Sequence, residues 1–135
     1  MPGASLGGVE LGMTKQEVLR VWGKRHGVCR DCRVETWYFN RKAFEPEGAG
    51  VVLRKGRVAH VFTLWRPLGW QTNDGLELGA PEAEIGAGQV LVGEETCRGY
   101  TARLASTGRV QTVYYVYDGR LWGFGLIRSG ANPCL

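Results

Sequence analysis

Four cysteines and two histidines are the side chains in this chain that are best suited to chemistry. Cys29 and Cys32 form a C-x-x-C pair, whereas Cys97 and Cys134 stand far apart in the second half. An even number of cysteines is typical of small secreted proteins that are held by disulfides. We therefore expect two disulfides, one local and one that ties down the C-terminal tail, although four cysteines allow three pairings.

Two other uses of the cysteines remain open. A thiol-redox site would need Cys29 as a low-pKa thiolate at a helix N-terminus, and a structural metal site would need four thiolates in one place. The chain has a single C-x-x-C, with neither a second one nor an H-x-x-x-H. In a reducing compartment all four would be free thiols. We assign no metal ligands and expect no cofactor.

The histidines do not form a recognisable catalytic motif. His60 shares a predicted strand face with Val58 and Phe62, which favours a packed imidazole, and His26 lies in a basic loop, where we expect it to be solvated. No G-x-S-x-G, P-loop or H-E-x-x-H motif is present. We therefore assign no catalytic residue and expect that the protein is not an enzyme.

A short phrase occurs twice and dominates the architecture. Residues 8–12 (GVELG) recur as residues 75–79 (GLELG), and residues 56–58 (GRV) recur as residues 119–121 (GRL). Self-similarity within a chain indicates one supersecondary unit used twice. We expect repeats at residues 1–66 and 67–135 that share one compact domain.

Each repeat is expected to begin with a helix. Thr14 is a good N-cap, Glu17 can close a capping box, and Gly23 ends the helix. In the second repeat Ala80 takes the place of the capping threonine, and Pro81 suits the first position of a shorter helix. Alternation and β-branched content predict strands at 34–39, 51–53, 58–65, 96–105, 109–117 and 121–128. The predicted fold is α+β, with two tandem α-β-β-β units in which antiparallel meanders carry short helices on one face.

The charge is unevenly distributed. The chain has 135 residues and a net charge of +4, but residues 1–66 carry 12 basic and 6 acidic side chains, and the rest carry 5 and 7. This pattern is compatible with two interpretations, an acidic partner or a solvated basic face. Nucleic acid is not expected, because the second half is less basic and has no RNA-binding motif. No apolar run reaches the 18 residues that would predict a membrane-spanning helix. The first residues do not have the pattern of a secretion signal, so an extracytoplasmic location would imply that a signal was removed.

Aromatic residues on the predicted strands either fill a small core or form an exposed sheet face that binds a partner. Trp and Tyr provide large contact areas at low entropic cost and are enriched at interfaces. The candidates for an aromatic sheet face are Trp37, His60, Trp65, Tyr115, Tyr117 and Trp122.

The segment Leu11-Gly12-Met13-Thr14-Lys15-Gln16-Glu17-Val18-Leu19, followed by Trp22-Gly23, resembles the repeat signature of the β-lactamase inhibitory proteins. It is also similar to small outer-membrane lipoproteins of the SmpA/OmlA type. The resemblance implies a duplicated unit whose concave aromatic sheet clasps a loop of another protein. The favoured function is thus a non-catalytic, extracytoplasmic, inhibitor-like module that binds a protein or a cell-envelope component. The alternative is a C-x-x-C thiol-redox or metal-binding protein.

Overall fold

The computed structural model describes residues 5–39, 48–64, 76–85, 91–106 and 108–135. Strands make up 53% of the structure and helices 10%. The elements are β1 (Ser5–Leu6), β2 (Val9–Glu10), α1 (Lys15–Trp22), β3 (Gly27–Val28), β4 (Thr36–Phe39), β5 (Gly48–Arg54), β6 (Arg57–Leu64), β7 (Leu91–Thr96), β8 (Thr101–Ser106), β9 (Val110–Tyr117) and β10 (Arg120–Arg128). A single 3-10 turn covers Glu82–Glu84.

Eight of the strands form one antiparallel sheet in the order β3-β4-β5-β6-β10-β9-β8-β7. Each half supplies a meander, and the two meanders meet at the centre, where β6 pairs with β10 from Gly123↔Leu64 to Ile127↔His60. β1 and β2 form a separate two-stranded pair. The predicted boundary between residues 66 and 67 lies outside the described residues.

Helix α1 begins as its sequence predicts. The hydroxyl of Thr14 accepts a hydrogen bond from the backbone N–H of Glu17, and the Glu17 carboxylate accepts one from the backbone N–H of Thr14. These two hydrogen bonds lower the pKa of the Glu17 carboxyl. Val18 is fully buried and packs in a cluster with Val51 and Val61 of the sheet, so α1 covers the first half on one side.

The prediction of two α-β-β-β units is wrong, because the described part of the chain has one α-helix and is mostly β. Where the second helix was expected, Glu82–Glu84 make only a 3-10 turn. The physical reason lies at its start. Pro81, and not Ala80 as expected, takes the place of Thr14, because each pairs with the equivalent arginine, Arg120 or Arg57. Pro81 occupies the N-cap and makes no side-chain capping hydrogen bond. An uncapped single turn does not repay the cost of helix nucleation.

The recurring phrase nevertheless marks equivalent turns. Gly12 and Gly79 have φ angles of +89° and +92°, which L-residues rarely adopt. The N–H of Gly12 donates to the carbonyl oxygen of Val58 at 2.7 Å, and the N–H of Gly79 donates to that of Leu121 at 2.8 Å. In each half, the arginine before that strand residue donates to the glycine carbonyl, at 2.9 and 3.0 Å. The repeated sequence therefore marks the glycine turn that hydrogen-bonds to the following hairpin, β5–β6 in the first half and β9–β10 in the second.

The two faces of the sheet have different covers. The helix face, which includes Val51, Val61 and Tyr114, lies under α1 and under the segment 76–85. The opposite face, here called the tail face, includes Phe62 and Tyr115 and lies against the C-terminal residues. Both faces are thus buried at the central strands β6, β9 and β10.

Glycines in β10 allow the two meanders to pack tightly. A Cβ atom on Gly125 would lie 2.5 Å from the carbonyl oxygen of Val61 and 2.9 Å from Cβ of Phe62. The Phe62 ring also occupies the space next to Gly50. The bare positions that the sequence shows at Gly123 and Gly125 are therefore filled by the neighbouring strand β6.

Candidate functional site

The six residues predicted for a sheet-face site do not form one surface. Trp37 lies on the helix face and is only 7% exposed. Trp65 lies outside the described residues. Tyr117 is 53% exposed, and its ring centroid is 6.0 Å from that of the partly buried Trp122 at the rim of the tail face.

His60 and Tyr115 meet at the centre of the tail face, and both are buried. The Tyr115 hydroxyl lies 2.6 Å from Nε2 of His60 and 2.9 Å from the carbonyl oxygen of Pro133. Because a carbonyl can only accept, the single hydroxyl proton goes to Pro133, and His60 donates from Nε2. This assigns the Nε2–H tautomer to His60.

Burial keeps this network neutral. It lowers the pKa of His60 to about 3 and raises the pKa of Tyr115 well above its usual value. In both cases loss of hydration disfavours the charged form. The pair is therefore a fixed neutral hydrogen-bond network and not a base poised to titrate near neutrality.

The C-terminal tail is fastened at two further points. The backbone N–H of Leu135 donates to the Tyr100 hydroxyl at 2.6 Å. Cys97 and Cys134 lie at disulfide distance with a Cα–Cα separation of 5.6 Å. The centre of the tail face is thus covered by residues 133–135 of the same chain, which sequence alternation could not reveal.

The other cysteine pair is local. Cys29 and Cys32 lie at disulfide distance in the loop between β3 and β4. The expectation of two cysteine pairs, one local and one at the tail, is confirmed at the level of distance. Within the residues that the structure describes, no group of three or more His, Cys, Asp or Glu side chains is placed to hold a metal ion.

A different aromatic cluster remains partly open to solvent, where α1 meets the β3–β4 edge of the sheet. We call it the basic aromatic edge. Its members are Lys15, Val21, Trp22, Lys24, Arg25, His26, Val28, Trp37 and Phe39.

Ring stacking organises this edge. The His26 imidazole stacks on the Trp37 ring with centroids 4.1 Å apart, and Trp22 meets Phe39 edge to face at 5.2 Å. Nδ1 of His26 lies 2.9 Å from the carbonyl oxygen of Lys24, so Nδ1 carries the proton and donates. Rings that are locked in this way offer contact area without a large entropic cost on binding.

One cation contacts the rings, and further cations and exposed valines lie close to them along the chain. Lys15 lies 5.8 Å from the centre of the Trp37 ring and pairs with Glu35 at 2.9 Å. Val21 and Val28 are 45% and 43% exposed, which is unusual for valine, and Lys24 and Arg25 are exposed on the intervening loop. The arrangement can take a partner that combines an apolar group with negative charge.

Sequence reasoning identified Trp37 and the basic loop separately but did not join them. His26 was expected to be solvated, whereas it is half-buried on an aromatic ring. The available signal was the run Trp22-Gly23-Lys24-Arg25-His26, in which cations directly follow the aromatic end of a helix. Only the pairing of β3 with β4 brings that run beside Trp37.

In the described residues, no helix is long and apolar enough to cross a membrane. No protein-family model, no curated protein and no solved structure matches this chain. The resemblance to β-lactamase inhibitory proteins and SmpA/OmlA-type lipoproteins therefore stays a prediction.

Proposed function

We propose that the protein is a non-catalytic, extracytoplasmic binding module that holds an acidic segment of another protein at the basic aromatic edge. The observation that carries the proposal is the stack of His26 on Trp37 beside Lys24 and Arg25, with two valines left exposed. This is the half-buried combination of rings and cations that characterises interface anchors.

Three further features support the proposal. The first half carries a net charge of +6, which would steer an acidic partner towards this edge. Two of the predicted sheet-face residues, His60 and Tyr115, lie buried next to Pro133, so the edge, which includes Trp37, is the aromatic surface better placed to receive a partner. Two cysteine pairs at disulfide distance favour an oxidising compartment outside the cytoplasm.

Peptide display against the immobilised protein tests the proposal with a defined ligand. We expect enriched peptides to combine an aromatic or aliphatic residue with net negative charge. Arg25→Glu and His26→Ala should weaken binding at least tenfold, because one reverses an edge charge and the other removes a stacked ring. Arg98→Glu and Tyr117→Ala, which change an exposed cation and an exposed ring in the second half, are the matched controls and should change affinity less than twofold.

The proposal fails if the enriched peptides are not acidic, or if the edge variants and the control variants bind them equally well. Either result would remove the assignment of a binding role to this edge. Circular dichroism of each variant establishes that the comparison is made between folded proteins.

A thiol-redox function is the second candidate, because Cys29 and Cys32 form a local pair in a loop with the exposed cations Arg30 and Arg33. Nearby cations stabilise a thiolate. This candidate predicts reduction of insulin by the dithiol form, with the activity lost in Cys32→Ser. If the protein does not reduce insulin, and its reduced form does not bind stoichiometric zinc, the thiol-redox and metal-binding functions are excluded. The binding role is then the remaining proposal.

A further inference from the structure

The C-terminal residues lie on the tail face as a bound peptide would. The carbonyl oxygen of Pro133 accepts from Tyr115, and the backbone N–H of Leu135 donates to Tyr100. Pro133 itself is buried, whereas residues 129–132 are exposed. Two main-chain hydrogen bonds spaced two residues apart are a typical way to read an extended peptide.

The groups that hold the tail belong to the body of the sheet and not to the tail. Tyr115 lies on β9, His60 on β6, and Tyr100 directly precedes β8. Ring contacts fix them in place, with Tyr100 5.8 Å from Tyr115 and 5.2 Å from Trp122. The peptide seat, which we define as His60, Tyr100 and Tyr115, is therefore built on the sheet and not on the tail.

The seat offers a specific donor to a peptide carbonyl. The Tyr115 hydroxyl accepts a hydrogen bond from His60 and donates its proton to the carbonyl oxygen of Pro133. When the tail is absent that proton is left to water, and a second peptide carbonyl in the same place restores the hydrogen bond. The structure displays one segment that provides such a carbonyl, namely residues 133–135.

The connection that leads to the tail, residues 129–132, is exposed. Gly130 adopts a φ of +87°, a conformation that marks a turn in this connection. Beyond that turn, the covalent restraint is the Cys97–Cys134 pair. Once that pair is cut, the tail is held by its hydrogen bonds and by the packing of Pro133.

We propose that the peptide seat accepts residues 133–135 of a second copy of the chain after a small-molecule thiol such as glutathione reduces the Cys97–Cys134 pair, giving a tail-exchanged dimer. The reduction consumes two glutathione thiols per pair and releases one oxidised glutathione. The Cys134 thiolate of one copy attacks oxidised glutathione and releases one glutathione thiolate. The Cys97 thiolate of the other copy then attacks the Cys134 sulfur and releases the second, so two thiols become one intermolecular disulfide. The same two steps on the reciprocal pair close the second disulfide of the dimer.

Two complementary variants test this directly. Cys97→Ser retains the tail thiol, Cys134→Ser retains the seat thiol, and neither can close its own tail disulfide. When the two variants are mixed in a glutathione buffer, we expect a heterodimer linked by Cys97–Cys134. The control is a mixture of Cys29→Ser and Cys32→Ser, which can form a heterodimer linked by Cys29–Cys32. The yield of the first heterodimer should be at least tenfold higher than that of the control. Mass spectrometry of non-reduced peptides measures both yields.

A second substitution separates recognition from chance collision of thiols. Adding Tyr115→Phe to the Cys134→Ser copy removes the donor to Pro133 and should lower the heterodimer yield several-fold. Yields equal to those of the control mixture, or a yield that Tyr115→Phe leaves unchanged, would overturn the proposal.

If either cysteine variant does not fold, the wild-type chain provides the same test. Copies labelled with ¹⁵N and unlabelled copies are mixed, reduced with a dithiol and reoxidised at high concentration. Mixed-isotope Cys97–Cys134 peptides support the exchange, and their absence contradicts it. Because the seat and the basic aromatic edge share no residue, failure here leaves the proposed binding function untouched.

Discussion

The two halves of the sheet are fastened by the same turn but covered by different structures. In the first half an eight-residue helix packs on the helix face and leaves the basic aromatic edge half open. In the second half a 3-10 turn takes the place of the helix, and the C-terminal tail closes the opposite face. The two halves thus share the glycine turn and the meander. They differ in the segment that covers the sheet, which is helix α1 in the first half and the C-terminal residues in the second.

The difference between the covers begins with one capping residue. Thr14 satisfies a backbone donor at the start of α1, whereas Pro81 at the equivalent place does not. The second half has no α-helix in its described residues, but its tail adds a cysteine pair of long sequence separation and contacts a buried hydrogen-bond network. Three measurements test whether the two halves differ in this way.

The largest difference is expected between the two cysteine pairs. Replacing Cys97 and Cys134 by serine should lower the free energy of unfolding by about 4 kcal/mol, and replacing Cys29 and Cys32 should lower it by about 2 kcal/mol. The reason is that the sequence separations are 37 and 3, and a longer loop restricts the unfolded chain more. Urea unfolding under oxidising conditions measures both. Equal losses would mean that the tail pair does not stabilise the second half as described.

The next effect concerns pH. His60 has a folded-state pKa of about 3 against an ordinary value of 6.5, so below pH 6.5 the unfolded chain binds a proton that the folded chain excludes. The contribution of neutral His60 to the free energy of unfolding is therefore fully present above pH 6.5 and is lost as the pH falls towards 3. Between pH 7 and pH 5 the loss from this group should be about 2 kcal/mol.

His60→Gln is the control for this pH effect, because glutamine can still donate to the Tyr115 hydroxyl but does not titrate. Its unfolding free energy should fall by about 2 kcal/mol less than that of the wild type between pH 7 and pH 5. If both proteins lose the same amount, the neutral network on the tail face does not contribute to the acid sensitivity of the fold.

The smallest effect is expected at the helix cap. Thr14→Ala removes the hydroxyl that accepts from Glu17 and should destabilise the protein by about 1 kcal/mol. Pro81→Ala, at the equivalent place in the second half, removes no capping hydrogen bond and should change stability by less than about 0.5 kcal/mol. Thermal melting followed by circular dichroism compares the two, and losses of the same size would show that the cap does not distinguish the halves.

Local sequence signals predicted those parts of the fold that local chemistry decides. The capping pair Thr14 and Glu17 placed α1, and alternation placed six of the strands, although with different ends. Strand β7 was missed because all six of its residues are exposed and its sequence Leu-Val-Gly-Glu-Glu-Thr does not alternate. The second helix was predicted by analogy with the first, and the analogy failed where the cap was absent.

The candidate sites were harder to predict because they depend on contacts between distant segments. Alternation put His60 and Tyr115 among the sheet-face candidates, but nothing local indicates that Pro133 would cover them. Similarly, His26 reaches Trp37 only through the pairing of β3 with β4, a strand pair that the sequence did not predict. Which side of a strand faces solvent is a tertiary property, and period-2 patterning leaves it open.

The central position of the β6–β10 pair has a consequence for how the protein comes apart. The strands that join the two halves are also the most deeply buried, and the backbone of Gly125 lies against Val61 and Phe62 across that junction. Neither half can therefore melt while the other keeps its innermost strand paired. Despite its internal duplication, the molecule should behave as one cooperative unit, with a calorimetric enthalpy of denaturation equal to its van't Hoff enthalpy.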